Sequence, residues 1–359
     1  MKGLRKYLTP FAPDQSGAVS VLYELGGMLV ICDAGGCTGN VCGFDEPRWF
    51  ETRSAVFSAG LRDMDAILGR DDRLVAKLAD AAEKLDVTFA AVIGTPVPAV
   101  IGTDYRALER MLSKKTDLSV LTVNTDGMEL YDKGEEKAYL ALFEKFSDKN
   151  EESEDMNDKD RPHIGIIGMT PQDVSDLKAA DKIRKVYADQ GMCAICYGMG
   201  DGLDEVRNAS LAAKNVVVSP AALKAAQYLQ KKFGTPYEIA YPLASELVPE
   251  VNYQGKKILI VQQQVIANAV RKEIEKRTGE KEAITTATWF MRKEEILTDL
   301  NVDAADDISL KEEDDFISLV EKEGYDVIFA DPCMERMIPG FEGTFIPLTH
   351  FAVSGKLNV

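Results

Sequence analysis

Met28-Leu-Val-Ile-Cys32-Asp-Ala-Gly-Gly-Cys37-Thr-Gly-Asn-Val-Cys42 runs from an apolar segment straight into a glycine-rich loop, and holds three of the chain's 6 cysteines. A short apolar run bounded by glycines reads as a buried strand. The loop at the carboxyl end of such a strand is where open parallel α/β sheets hold ligands. Thiolates are the usual protein ligands of iron–sulfur clusters, and glycines let a backbone come close to a bulky inorganic body. Cys37, Cys42 and Cys32 are therefore the candidate metal ligands, with Gly35, Gly36 and Gly39 as the cradle. The C-x4-C-x4-C spacing matches no standard ferredoxin run, so spacing alone does not define the cluster. A [4Fe–4S] cluster needs a fourth ligand, for which Asp33, a solvent-derived ligand and a residue of a second subunit are the options.

Outward from this stretch, short β-branched runs alternate with amphipathic helical stretches, the pattern of parallel α/β sheets. The predicted strands are Met28–Cys32, Phe89–Ile93, Ser119–Val123, Ile164–Ile167, Cys193–Cys196, Asn215–Val218, Lys257–Val261 and Asp326–Ala330. Helices are predicted over Asp72–Leu85, Asp104–Ser113, Pro171–Gln190, Ala221–Phe233 and Ile266–Thr278, with Gly191, Gly234 and Gly279 as C-terminal punctuation. Ser147–Pro162 is charged and free of aliphatic residues apart from Met156, so it reads as an exposed linker or loop. Asp299–Asp315 reads as a loop or a solvated helix face. The expected fold is α/β: three Rossmann-like domains with parallel sheets and a cleft between them. The expected boundaries are 1–150 with the cysteine loop, an acidic linker at 151–161, 162–245, 250–335, and a tail at 336–359 returning to the first domain.

The 359 residues carry a formal net charge of −17, which argues against nucleic acid or an anionic membrane as partner. No apolar run is long enough to span a membrane, and the start lacks the pattern of a secretory signal, so a cytoplasmic location is expected. Six cysteines in such a chain suggest metal binding, redox chemistry or burial rather than a disulfide framework. Cys193 and Cys196, three apart on a strand, point to opposite faces and cannot share a metal; Cys333 follows another strand end. No phosphate-binding Gly-x-x-x-x-Gly-Lys-Ser/Thr loop is present, and His163 and His350 are too few for a triad or a multi-histidine zinc site.

Four motifs stand in order within the first third of the chain. They are Asp33-Ala-Gly-Gly-Cys37; Phe57-Ser-Ala-Gly-Leu-Arg-Asp-Met-Asp65-Ala-Ile-Leu-Gly69-Arg-Asp-Asp-Arg-Leu74; Gly94-Thr-Pro-Val-Pro-Ala-Val-Ile101-Gly102-Thr-Asp104; and Val123-Asn-Thr-Asp-Gly127. Together they resemble component 1 of nitrogenase and its relatives, the protochlorophyllide reductase subunits and the reductase of F430 biosynthesis. Weaker echoes follow at Ile164–Gly168, Gly191–Val218 and Tyr228–Pro236. The resemblance implies that Cys37 is a cluster ligand at a subunit interface. It also implies a homodimer or a heterodimer with a paralogous subunit, an ATP-dependent Fe-protein-like reductase as electron donor, and a small-molecule substrate.

The departures narrow this reading. No cysteine lies in Leu8–Gly17, where the family's nitrogenase chains carry one, and the cysteine of the Cys-Pro motif falls on Thr95 or Pro96. The thiol that holds the iron–molybdenum cofactor falls near Ser219, although His350 loosely matches the tail that supplies its histidine. No FeMo-type cofactor is expected. Asp45-Glu46-Pro47-Arg48-Trp49 reads as an interface element or a gate, or as a plain polar turn. The expected function is that of an oxidoreductase subunit passing electrons through a cluster near Cys37. The alternatives are a non-catalytic scaffold for cluster or cofactor assembly and a cluster-free small-molecule-binding protein.

Overall fold

The computed structural model describes residues 5–62, 65, 71–147, 162–279, 281 and 283–358. Its strands are β1 (Met28–Ile31), β2 (Ala55–Ser58), β3 (Phe89–Ile93), β4 (Ser119–Val123), β5 (His163–Ile167), β6 (Cys193–Tyr197), β7 (Lys214–Val217), β8 (Tyr237–Ile239), β9 (Lys257–Val261), β10 (Ala283–Thr288), β11 (Asp307–Ser309), β12 (Val327–Ala330) and β13 (Thr344–Pro347). They form three parallel sheets, ordered β2-β1-β3-β4, β6-β5-β7-β8 and β11-β10-β9-β12-β13. The expected α/β fold of three Rossmann-like units is what the chain adopts. Among the described residues, no helix is long and apolar enough to cross a membrane.

Strand alternation lays the sheets out as layers. Met28, Val30 and Cys32 point to one side of the first sheet, against Leu74, Leu78, Leu108 and Leu112 of its outer helices. Leu29 and Ile31 point to the other, into a core shared with the helices Asp14–Leu22 and Tyr131–Phe146. That same core reaches Ile167, Tyr197 and Val217 of the second sheet, so the Tyr131–Phe146 helix is packed between two sheets. Tyr139, Leu142 and Phe143 on it are fully buried, each adding about 1.5–3 kcal/mol of burial free energy. The opposite face of the second sheet packs on the third through Ile164, Ile166, Ile258 and Ile260.

All eight predicted strands are present, within a residue or so at each end. The strands without a clear signal, β2, β8, β11 and β13, are edge strands of three or four residues, too short to show alternation. The remaining one, β10, is rich in threonine, and its Thr286 hydroxyl bonds the Asp307 carboxylate at 3.0 Å rather than facing solvent. Asp299–Asp315 is therefore neither loop nor solvated helix face alone: it contains β11, with Asp307 buried and bonded by Arg292 at 2.9 Å. Pro171–Gln190 is not one helix. It splits into Pro171–Val174 and Ala179–Ala188 at Ser175, which sits at φ +56. The Ser175 hydroxyl accepts the Phe351 N–H at 2.6 Å, a tertiary contact that holds the break. Gly234 and Gly279 cap their helices in the left-handed conformation, as expected. Of the predicted linker Ser147–Pro162, residues 148–161 lie outside the described residues, and Ser147 is buried at the end of the Tyr131–Phe146 helix rather than exposed. The C-terminal residues add β13 to the third sheet and then bring His350 against Tyr131.

The Asp14–Leu22 and Tyr131–Phe146 helices approach at two glycines. A Cβ on Gly134 would lie 1.7 Å from the Asp14 carbonyl oxygen, and one on Gly17 1.9 Å from that of Tyr131. Glycine to alanine inside an exposed helix normally gains about 1 kcal/mol. Here the sign reverses: Gly134→Ala is expected to lose about 3 kcal/mol or more in urea unfolding, because backbone must move.

Candidate functional site

The cysteine loop starts where β1 ends. The Cys32 N–H donates to Ile93 O at 2.9 Å, continuing the β1–β3 ladder, and the Thr95 hydroxyl donates to Cys32 O at 2.6 Å. The chain then turns through Gly35, at φ +114, into a helical segment, Gly36–Asn40, that runs on as a π-turn over Val41–Asp45. Asp33 builds this turn. Its carboxylate accepts the Thr38 N–H at 2.7 Å, the Thr38 hydroxyl at 3.0 Å and the Ser58 hydroxyl at 2.6 Å. With both oxygens so occupied inside the protein, Asp33 is a helix cap, and the option of it as a fourth ligand falls away.

The three cysteines are not brought together. Cys32 has the parity of Met28 and Val30 and is buried in the outer core of the first sheet. Burial, then Asp33 and Asp71, push its thiol up to about 12, so it packs as a small hydrophobe. Cys37 lies against the opposite core, with Leu29 and Ile31. It is half-buried; burial and Asp33 raise its thiol, while a hydrogen bond with Thr95 pulls the other way. Cys42 is also half-buried, its thiol raised by burial and by Glu46. Among the described residues no three His, Cys, Asp or Glu side chains are grouped to hold a metal ion. The outer side of the loop is open: a Cβ on Gly36, Gly39 or Gly43 would meet nothing within 4 Å. Phe44 and Phe50 beside it are each 75% exposed.

The second pair behaves as strand geometry requires, with Cys193 exposed and Cys196 buried. Cys333 is half-buried, its thiol raised by burial and by Asp331. His350 is buried, its Nε2 3.3 Å from Tyr131 Oη and 3.7 Å from an Asp173 oxygen.

Asp45–Trp49 is more than a plain polar turn. Arg48 is buried and forks onto Glu46, Nε to Oε1 at 2.8 Å and Nη2 to Oε2 at 2.7 Å. Its Nη1 donates to Glu24 at 2.9 Å and to Gly198 O at 2.9 Å, and its Nη2 to Ser20 O at 2.6 Å. Burial alone would weaken the charge on Arg48, but Glu46 and Glu24 outweigh it and hold its pKa above the ordinary value. The guanidinium thus ties the segment after Cys42 to the first helix and to the loop after β6. Gly200 N–H also donates to Glu24, so this glycine loop serves the contact between units. An Arg two residues after a Glu is a common pattern, and nothing in it signals burial.

A sequence profile of the nitrogenase component 1 type oxidoreductases matches residues 14–243, more than half of the chain. Among solved structures, one described as nitrogenase Cp1 at pH 6.5 superposes with a TM-score of 0.69 at 12% identity, covering 97% of this chain and 87% of that one. Another, nitrogenase Cp1 at pH 5, gives a TM-score of 0.68 at 15% identity, covering 98% and 85%. At these identities the superpositions establish the shared fold. No curated protein matches the chain.

Removing one partner from a buried, hydrogen-bonded charge network leaves uncompensated charge behind. Arg48→Met is therefore expected to cost about 3–5 kcal/mol in urea unfolding. Glu46→Gln, which keeps the shape, should cost less.

Proposed function

Because the chain belongs to the nitrogenase component 1 type oxidoreductases, whose members bind metal–sulfur clusters, we propose that it holds an iron–sulfur cluster at a subunit interface, with Cys37 as the principal ligand and Cys42 as the second. The observation that carries this reading is the two-sided character of the cysteine loop. Its inner side is fixed by the Asp33 cap and the β1–β3 ladder. Its outer side is open at Gly36, Gly39 and Gly43 and flanked by exposed Phe44 and Phe50. Thiol donors at half-buried positions beside open, glycine-lined space suit a thiolate-ligated group. Cys32, on the far side of the sheet, does not fit and is left out of the ligand set.

Both remaining thiols are held above their ordinary range in the metal-free chain. Metal binding to them releases protons and favours alkaline over acidic conditions. The cluster, proposed as [4Fe–4S], supplies one-electron redox chemistry when bound. The chain's own residues set its surroundings: the largely exposed Phe44 and Phe50 face a second subunit and exclude water. Two thiols from one chain make half of a four-ligand site, and a second copy or a paralogue supplies the rest. On this reading electrons arrive from an ATP-dependent Fe-protein-like reductase and reach a small-molecule substrate, making the chain an oxidoreductase subunit in the cytoplasm. The alternative is a cluster-free binding protein.

Anaerobic purification with iron and sulfide analysis and electron paramagnetic resonance separates the two. The cluster reading expects a brown protein whose iron is lost in Cys37→Ala, reduced in Cys42→Ala and retained in Cys32→Ala. A colourless protein without iron after anaerobic reconstitution supports the cluster-free alternative and ends the proposal.

A further inference from the structure

Where the Tyr131–Phe146 helix passes between the first two sheets, it carries a fully buried Glu135. One Glu135 oxygen accepts the Thr170 hydroxyl at 2.6 Å; the other has no hydrogen-bond partner among the described residues. Asp173, buried on the short helix after β5, stands near it. One Asp173 oxygen accepts Tyr131 Oη at 2.6 Å and lies 3.7 Å from His350 Nε2, and its other oxygen is equally unpartnered. Among the described residues, no lysine or arginine forms an ion pair with either carboxyl.

The rest of the surroundings do not compensate. Asp132, on the same helix, accepts the Met291 and Lys133 N–H groups and adds negative charge. Tyr139 Oη faces the carbonyls of Met169 and Tyr197. Arg48, the cation that acts on Glu135 from the first unit, is engaged with Glu46 and Glu24. Two ionised carboxylates in this buried junction would leave two anionic oxygens without a protein donor, and a buried group in that position takes up a proton instead.

We propose that Glu135 is a protonated carboxyl that latches the first unit to the second, and that release of its proton to solvent at alkaline pH, against the charge of Asp173, weakens the contact. Burial first, and Asp173 next, hold Glu135 well above the ordinary carboxylate range. A carboxyl raised in the folded state contributes stability that is full below its unfolded value. That contribution is lost as pH rises through the folded value. Asp132, raised to about 6 chiefly by burial, adds a similar loss at lower pH, so the Glu135 share is read above neutrality.

The test is urea unfolding of the full chain from about pH 7 to about pH 9, together with infrared spectroscopy of carboxyl groups. The wild-type unfolding constant should rise with pH, and the share of that slope belonging to Glu135 is one proton, up to about tenfold per pH unit. Glu135→Gln should be flatter and should lack a protonated-carboxyl C=O band that the wild type shows at neutral pH. Equal slopes, or no such band in the wild type, overturn the proposal. Should Glu135→Gln not fold, Asp173→Asn decides: removing the opposing charge must move the midpoint of the band's pH titration downward, and an unmoved midpoint overturns the proposal.

Discussion

The geometry around the cysteine loop depends on one buried cation. Arg48 draws Glu46, Glu24, the Ser20 carbonyl and the Gly198 carbonyl to a single point. A guanidinium out of water is tolerable only when its donors are met, and the fork onto Glu46 with three further acceptors does so. The segment after Cys42 is thereby fixed to the first helix and to the second unit. The loop can keep its outer side open because its far end is anchored. The Asp33 cap anchors the near end, where β1 stops.

Between and beside these two anchors the chain exposes what a folded monomer ordinarily hides. Phe44 and Phe50 face outward beside three glycines with free space above them. Large exposed aromatics next to an open thiol-bearing loop are what a buried subunit contact would cover. The same positions carry no side chain that would crowd a bulky group. Family membership, the open loop and the half-buried thiols converge on one place in the fold.

Much of this was legible in the sequence because parallel sheets buried on both faces leave continuous apolar runs. Phe89–Ile93, Ser119–Val123 and Lys257–Val261 were predicted to the residue. The short edge strands β2, β8, β11 and β13 were not legible, since three or four residues carry too little periodicity, and β10 hides its threonines in hydrogen bonds rather than in an apolar pattern. Within the site, spacing suggested three thiols in one loop. The period of two along β1 removes Cys32 from it by turning that residue through the sheet. Asp33 read only as an option for the fourth ligand, and the three donors that occupy its carboxylate come from tertiary structure. Arg48 and Glu135 were illegible because burial of a charge comes from tertiary contacts made by residues far apart in sequence.

The central claim is that a cluster joins two chains through Cys37 and Cys42. Native mass spectrometry of the anaerobically isolated protein, before and after treatment with an iron chelator, tests it most directly. The account predicts a dimer whose excess mass corresponds to one cluster shared by two chains, and which dissociates when the iron is removed. A dimer that carries no iron, or a monomer that retains a complete cluster alone, would contradict it.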